Sequence, residues 1–278
     1  MRAGKLLVKA DLIRLIRGPK FWLIILFMLF FVYDFVSQVK PYAVNSGLGI
    51  TPYLYPVYLA DWSGRLYSLL LIIVAMSDAP FYTGSEMFIK LRVNKYIWGL
   101  CKNLYIFAIS FIFQVITIVF TIVMCLPYLG ISNDWGDVIR TFLTDRQGAI
   151  SVSGILEEGI EVLYHPYTAM IYELLIMTLI SLMLGLMIFI LNGLFKSYAG
   201  TVVIGILSCL HTYISDFDFY GVLKNVYNKI PMSWIDLSGY TEGMSPIKAC
   251  IIISVILLVL TVIQMILIKC GKLTIEGE

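Results

Sequence analysis

The sequence predicts an all-α polytopic membrane protein with six transmembrane helices and both termini on the cytoplasmic side. Of its 278 residues, 60% are hydrophobic and only 14% are charged, against about 25% charged in ordinary soluble domains, and mean hydropathy is +0.89. Six mostly apolar runs stand out, at roughly 21–39, 65–79, 104–126, 168–194, 198–215 and 248–268. About 20 such residues in a helix cross a bilayer core of ~30 Å. The run at 65–79 is the weakest; Tyr58, Asp61, Trp62 and Arg65 precede it as an interfacial entry, so its start can lie earlier. Thirteen of the 20 lysines and arginines fall in the segments that an inside N-terminus places in the cytoplasm, around 2–20, 90–102, Lys196 and 269–272. The other seven are spread over three longer outer loops, which is the retention of basic residues inside that sets orientation.

The N-terminal segment 1–20 carries Arg2, Lys5, Lys9, Arg14, Arg17 and Lys20. Within KLLVKADLIRLIR, Val8, Leu12 and Leu15 fall on one helical face and Asp11, Arg14 and Arg17 on another, so a helix lying along the inner leaflet is expected, ending near Gly18 and Pro19. A merely basic flank would attract anionic lipid as well. FWLIILFMLFFVY has the length of a signal-peptide core, yet DFVSQVKPYAVNSG after it offers no clean small-x-small cleavage site.

Residues 127–167 form an acidic outer loop, with Asp134, Asp137, Asp145, Glu157, Glu158 and Glu161 against Arg140 and Arg146. It is expected to be solvated, with a short helix around ILEEGIEVLY, and its charge would suit cationic cargo such as a basic peptide. Residues 216–247 are rich in aromatics, including Phe219, Tyr220, Tyr227, Trp234 and Tyr240, and are broken by glycine and proline. Short helices dipping into the outer leaflet are expected there. No internal repeat is evident, so residues 1–278 read as a single membrane domain.

Net charge is only +2 and the basic groups are dispersed, which gives no nucleic-acid face. The five cysteines lack CxxC spacing and imply neither a disulfide framework nor a zinc site. No phosphate loop, GxGxxG turn or HExxH pair occurs, so no cofactor is expected on this chain, and nucleotide energy would have to come from another one.

Residues 80–103 form the largest cytoplasmic loop after the N-terminus and contain GSEMFIKLRVNKYIWGLCK. Gly84, Glu86, Leu91, Arg92, Val93, Asn94, Lys95 and Lys102 follow an order that resembles the loop of ABC-2-type transporter permeases. Asn94 and Lys95 stand where that family usually has Ser and Arg, and the usual Pro is absent. The resemblance implies a type V-like exporter fold and makes Gly84–Lys102 a coupling helix docked on a separately encoded ABC-type ATP-binding subunit. Phe88, Leu91 and Trp98 would supply docking contact, and Glu86, Arg92 and Lys95 ion pairs, with Lys102 entering the span. It further implies two ATPases that bind ATP and Mg, a second permease, outer re-entrant helices at about 219–245, and a bacterial plasma membrane.

Inside the spans, Asp34, Glu173 and His211 are candidates for a substrate path, since intramembrane ionisable groups are functional suspects. Interfacial carboxylates paired with Lys40 or Arg65, and a satisfied polar histidine, are the plainer alternatives. Gln114 and Asn192 are placed to bond across helices, and Ser181 with Gly185 makes a small-xxx-small stripe. Three functions compete: an ATP-driven export permease for peptide, drug or lipid-like cargo, an immunity or sensor protein that binds a partner without transport, and a membrane enzyme. The last lacks paired intramembrane aspartates, GxSxG and a histidine cluster.

Overall fold

Hydrophobic periodicity and capping together account for the helices of the computed structural model, which describes residues 2–80, 93–150, 160–215, 227–239 and 244–273. No strand occurs among these residues; one parallel bridge joins Ile50 and Leu129. Helix α1 (Arg2–Arg17) buries Leu7 and Val8 against Cys101, with Leu12 beside them. The N–H of Gly18 closes it on the carbonyls of Arg14 and Leu15. Pro19 then opens α2 (Pro19–Ser46), where its missing N–H costs no hydrogen bond. Along α2 one stripe is buried, Phe21, Ile24, Met28, Val32, Phe35 and Val39 at steps of three and four, while Trp22, Leu26 and Phe30 face outward. Gly47 ends the helix at φ 68°, its N–H bonded to Ala43 O.

Helices α3 (Leu54–Ala60) and α4 (Trp62–Met76) meet at 90°. Asp61 makes the corner, extended in backbone, its carboxylate capping α4 through the Gly64 N–H and also meeting the Ser63 hydroxyl. Asn94 caps α5 (Lys95–Cys125) by accepting from the Tyr96 N–H. Helix α5 therefore starts nine residues before the expected third span. Residues 95–102 are its first turns rather than part of a separate coupling helix, and residues 81–92 lie outside the described chain.

The acidic loop holds a helix that its charge concealed. In α6 (Asp137–Ile150), Val138, Ile139, Phe142 and Leu143 make a helical stripe that is buried, with Phe142 edge-on to Phe35 and Tyr42 of α2. A short α7 (Ile160–Leu163) follows at the end of ILEEGIEVLY, of which residues 155–159 are not described. Helix α8 (Pro166–Phe195) is the axle: 67% of its most apolar window is buried, against 22–39% for α2, α5 and α10. It packs against α4, α5, α9 (Ala199–Ser215) and α10 (Pro246–Lys269). Between α9 and α10 the described outer segment consists of 3-10 turns, Pro231–Ile235 and Leu237–Gly239, resting on α8, α9 and α10.

Helices α2, α5, α8 and α10 are each long and apolar enough to cross a membrane, and the bent pair α3–α4 makes a fifth candidate. Helix α9 is apolar but shorter. The chain is thus a polytopic helical membrane protein. Outward-facing residues such as Leu104 and Phe107 of α5 and Ile251, Val255 and Leu258 of α10 form an apolar lateral surface suited to lipid.

Candidate functional site

Two polar constellations lie at opposite ends of the bundle. The first frames the ends of segment 81–92. On one side Lys20 meets Ser77 Oγ and Asp78 Oδ2, both at 2.7 Å. Asn192 of α8 donates to the carbonyls of Ser77 (3.2 Å) and Ala79 (3.0 Å) and accepts from the Thr201 N–H of α9. One amide therefore ties the end of α4 to both α8 and α9. On the other side Lys102 is 0% exposed, and its Nζ lies 2.9 Å from Asp11 Oδ2 of α1. Arg14 joins Asp11 at 3.4 Å across one turn.

Of the residues expected to couple to a partner, Glu86, Phe88, Leu91 and Arg92 lie outside the described chain. Lys95 is exposed and donates to the Lys269 carbonyl at 3.3 Å. Trp98 departs from its expected role: it is 2% exposed, tilted against Phe189 of α8 with ring centroids 5.9 Å apart, and covered by Lys102. It is a core contact within this chain and not an exposed docking residue: Lys95, Trp98 and Lys102 share one face of α5, and that face becomes covered one turn in from the exposed helix end where Lys95 lies. Lys102 likewise faces α1.

The second constellation sits beneath the outer 3-10 turns. Glu173 of α8 is 0% exposed, and neither carboxylate oxygen completes a hydrogen bond. The charges that act on it are Asp236 of the outer segment and Arg65 of α4, and the Leu237 N–H faces it. Arg65 pairs with Asp236 at 3.6 Å. Beside them, Tyr55 donates to Gln114 Oε1 at 3.0 Å, which joins α3 to α5. Arg65 also acts on His211, which is buried on α9 and stacked on Tyr227 at 4.7 Å. The structure therefore brings Glu173 and His211 to one region. Asp34 does not join them: it lies on the exposed face of α2, and Lys40 sits over the Tyr33 ring at 5.0 Å.

Arg65 pairs with Asp236, a carboxylate the sequence did not nominate, and among the described residues no ion pair joins it to Asp34 or Glu173. Burying an ionised carboxylate without hydrogen bonds is costly, which marks Glu173 as the group whose retention needs a reason. Nearby, burial and then a hydrogen bond to Tyr167 push the Tyr53 phenol up to about 12, while burial, then Tyr172 and Glu173, raise Tyr164. Gln114 and Asn192 do bond across helices, and the Ser181–Gly185 stripe is a close contact, Gly185 lying against Met76 and Ile106.

The Asp11–Lys102 pair was not foreseen. Its partners are 91 positions apart, and the only signal was an acid within a basic helix. Among the described residues no group of three or more His, Cys, Asp or Glu side chains is arranged to hold a metal ion. No family model, curated protein or solved structure matches the chain.

Proposed function

We propose that this chain is the membrane-spanning permease subunit of an ABC-2-type exporter, driven by ATP hydrolysed on a separate subunit. In this reading α9 and the bent pair α3–α4 complete six crossings, and two permeases assemble with two ATPases. Peptide, drug or lipid-like molecules are the cargo.

The observation that carries the reading is the bracing of both ends of segment 81–92. A push delivered there by a closing ATPase would reach α8 and α9 through Asn192, and α1 through Lys102 and Asp11. A loop serving only as a topology signal needs no such connections. Lys95, exposed at the mouth of α5, then shares docking with residues 84–92, while Trp98 acts inside the chain by joining α5 to α8. At the far end, Glu173, Arg65 and Asp236 lie where a path through the bundle would meet the outer turns.

The test is affinity purification from the native membrane in mild detergent, followed by identification of bound proteins and an assay of ATP hydrolysis. Copurification of an ABC-type ATPase, lost in Arg92→Ala/Lys95→Ala while the chain still inserts, supports the permease. A chain that comes alone under conditions preserving membrane complexes overturns it in favour of a binding or sensor protein.

A further inference from the structure

Where α5 begins and α10 ends, residues of both helices line a groove of about 250 Å³. Its walls are Thr261, Val262, Met265 and Ile266 of α10 and Tyr96 of α5, and Lys269 stands at its end. From Thr261 to Lys269 is about 12 Å along the helix at 1.5 Å per residue. The groove is smaller than the roughly 300–1,000 Å³ of sites that enclose whole small molecules. Its long, shallow form, apolar along its length and polar at one end, matches a hydrocarbon chain with a head group.

Among the described residues of α5 and α10, charge at the polar end has one sign. Lys95, Lys269 and Lys272 are all exposed there, and residues 93–103 and 246–273 contain no Asp or Glu. The hydrogen bond from Lys95 Nζ to the Lys269 carbonyl holds the first lysine over the groove's mouth, with its Nζ 5.7 Å from the Tyr96 ring centroid. The N-terminal end of α5 adds partial positive charge on the same side. The lysine distribution assigns this end of the bundle to the cytoplasm, where the leaflet is rich in anionic lipid.

We propose that this groove is a binding site for one anionic phospholipid, its acyl chain along Val262, Met265 and Ile266 and its phosphate between Lys95 and Lys269. The site is independent of what the chain transports, and it places a lipid phosphate at the first turn of α5, two residues past Val93, where the described chain resumes.

The experiment uses the full chain purified in mild detergent, incubated with equal amounts of phosphatidylglycerol and phosphatidylcholine and read by native mass spectrometry. The wild-type chain is expected to retain phosphatidylglycerol at least ten-fold over phosphatidylcholine. In Lys95→Gln/Lys269→Gln the preference should collapse toward parity, since one cation near an anionic head group is worth roughly five-fold. Val262→Trp, which fills the groove and keeps both lysines, should lose the bound lipid. Equal retention of the two lipids by the wild type overturns the site, as does phosphatidylglycerol retention unchanged in both variants. A dimer that dissociates in Val262→Trp, with lipid retention unchanged, assigns the groove to a second copy of the chain and overturns it equally.

Discussion

A lysine buried to 0% exposure persists in a fold only where a carboxylate answers it, and Lys102 has Asp11 at 2.9 Å. Removing one member of such a pair costs about 3–5 kcal/mol because the other charge stays buried. The two halves are not equivalent: in Lys102→Met, Asp11 retains Arg14, whereas in Asp11→Asn, Lys102 loses its carboxylate. Thermal unfolding in detergent should therefore show Asp11→Asn as the more destabilised, with Asp11→Leu/Lys102→Met recovering most of the loss. Equal melting of all three and the wild type would remove the pair from the account. Glu173 behaves oppositely. Its buried oxygens complete no hydrogen bonds, so Glu173→Gln keeps the shape and removes an ionisable group that the apolar surroundings disfavour. On the permease proposal, the expected outcome is an unfolding temperature equal to or above wild type with reduced transport, the signature of a residue kept for function at some cost in stability. A clear fall in melting temperature would make Glu173 structural. Gly64 belongs to the same scale: a Cβ there would collide with the backbone carbonyl of Tyr58, so Gly64→Ala should destabilise by more than the ordinary ~1 kcal/mol of a point substitution.

Helices α1 and α6 show how an element finds its place. Helix α1 has an amphipathic pattern legible in sequence, but its apolar face is divided: Leu7 and Val8 pack on Cys101 of α5, while Leu6, Ile13 and Ile16 stay exposed. The exposed group, with Lys9, Arg14 and Arg17, is the part available to a lipid surface. Helix α6 was hidden by its charged residues, because its apolar side chains are few and the α2 residues that Phe142 meets, Tyr42 and Phe35, are 100 and 107 positions away. Phe142→Ala, which removes contacts to both Phe35 and Tyr42, should cost about 3–5 kcal/mol in a denaturation measurement. A cost below ~1 kcal/mol would mean that α6 is only loosely docked.

At the scale of the molecule the open quantity is the number of crossings, and α9 decides it. In a chain freed of its native cysteines, Ile131→Cys, which replaces a residue 99% exposed beyond α5, should react with an impermeant reagent from outside. Ser197→Cys between α8 and α9 should react only after the membrane is opened, and Lys229→Cys from outside again. If Ser197→Cys and Lys229→Cys report the same side, α9 does not cross. Five crossings would then replace six, and the inside C-terminus on which the lipid proposal rests would fall with them.

The apolar runs by themselves determined that this is a helical membrane protein and roughly where its long apolar helices lie, because the lack of water in a bilayer leaves the backbone few alternatives. They also nominated Gln114, Asn192, Glu173 and His211, since a polar group stands out in such surroundings. Tertiary structure alone decided which of these meet. Lys95, Trp98 and Lys102 share one helical face, and packing against α8 and α1 covered the last two while Lys95 stayed exposed at the helix end; Asp34 and Glu173 both lie within apolar helices, yet Asp34 faces outward and Glu173 is buried. The pairs that brace the two ends, Asp11 with Lys102 and Arg65 with Asp236, join residues 91 and 171 positions apart. No local pattern encodes such a meeting; it follows from the packing of whole helices around α8.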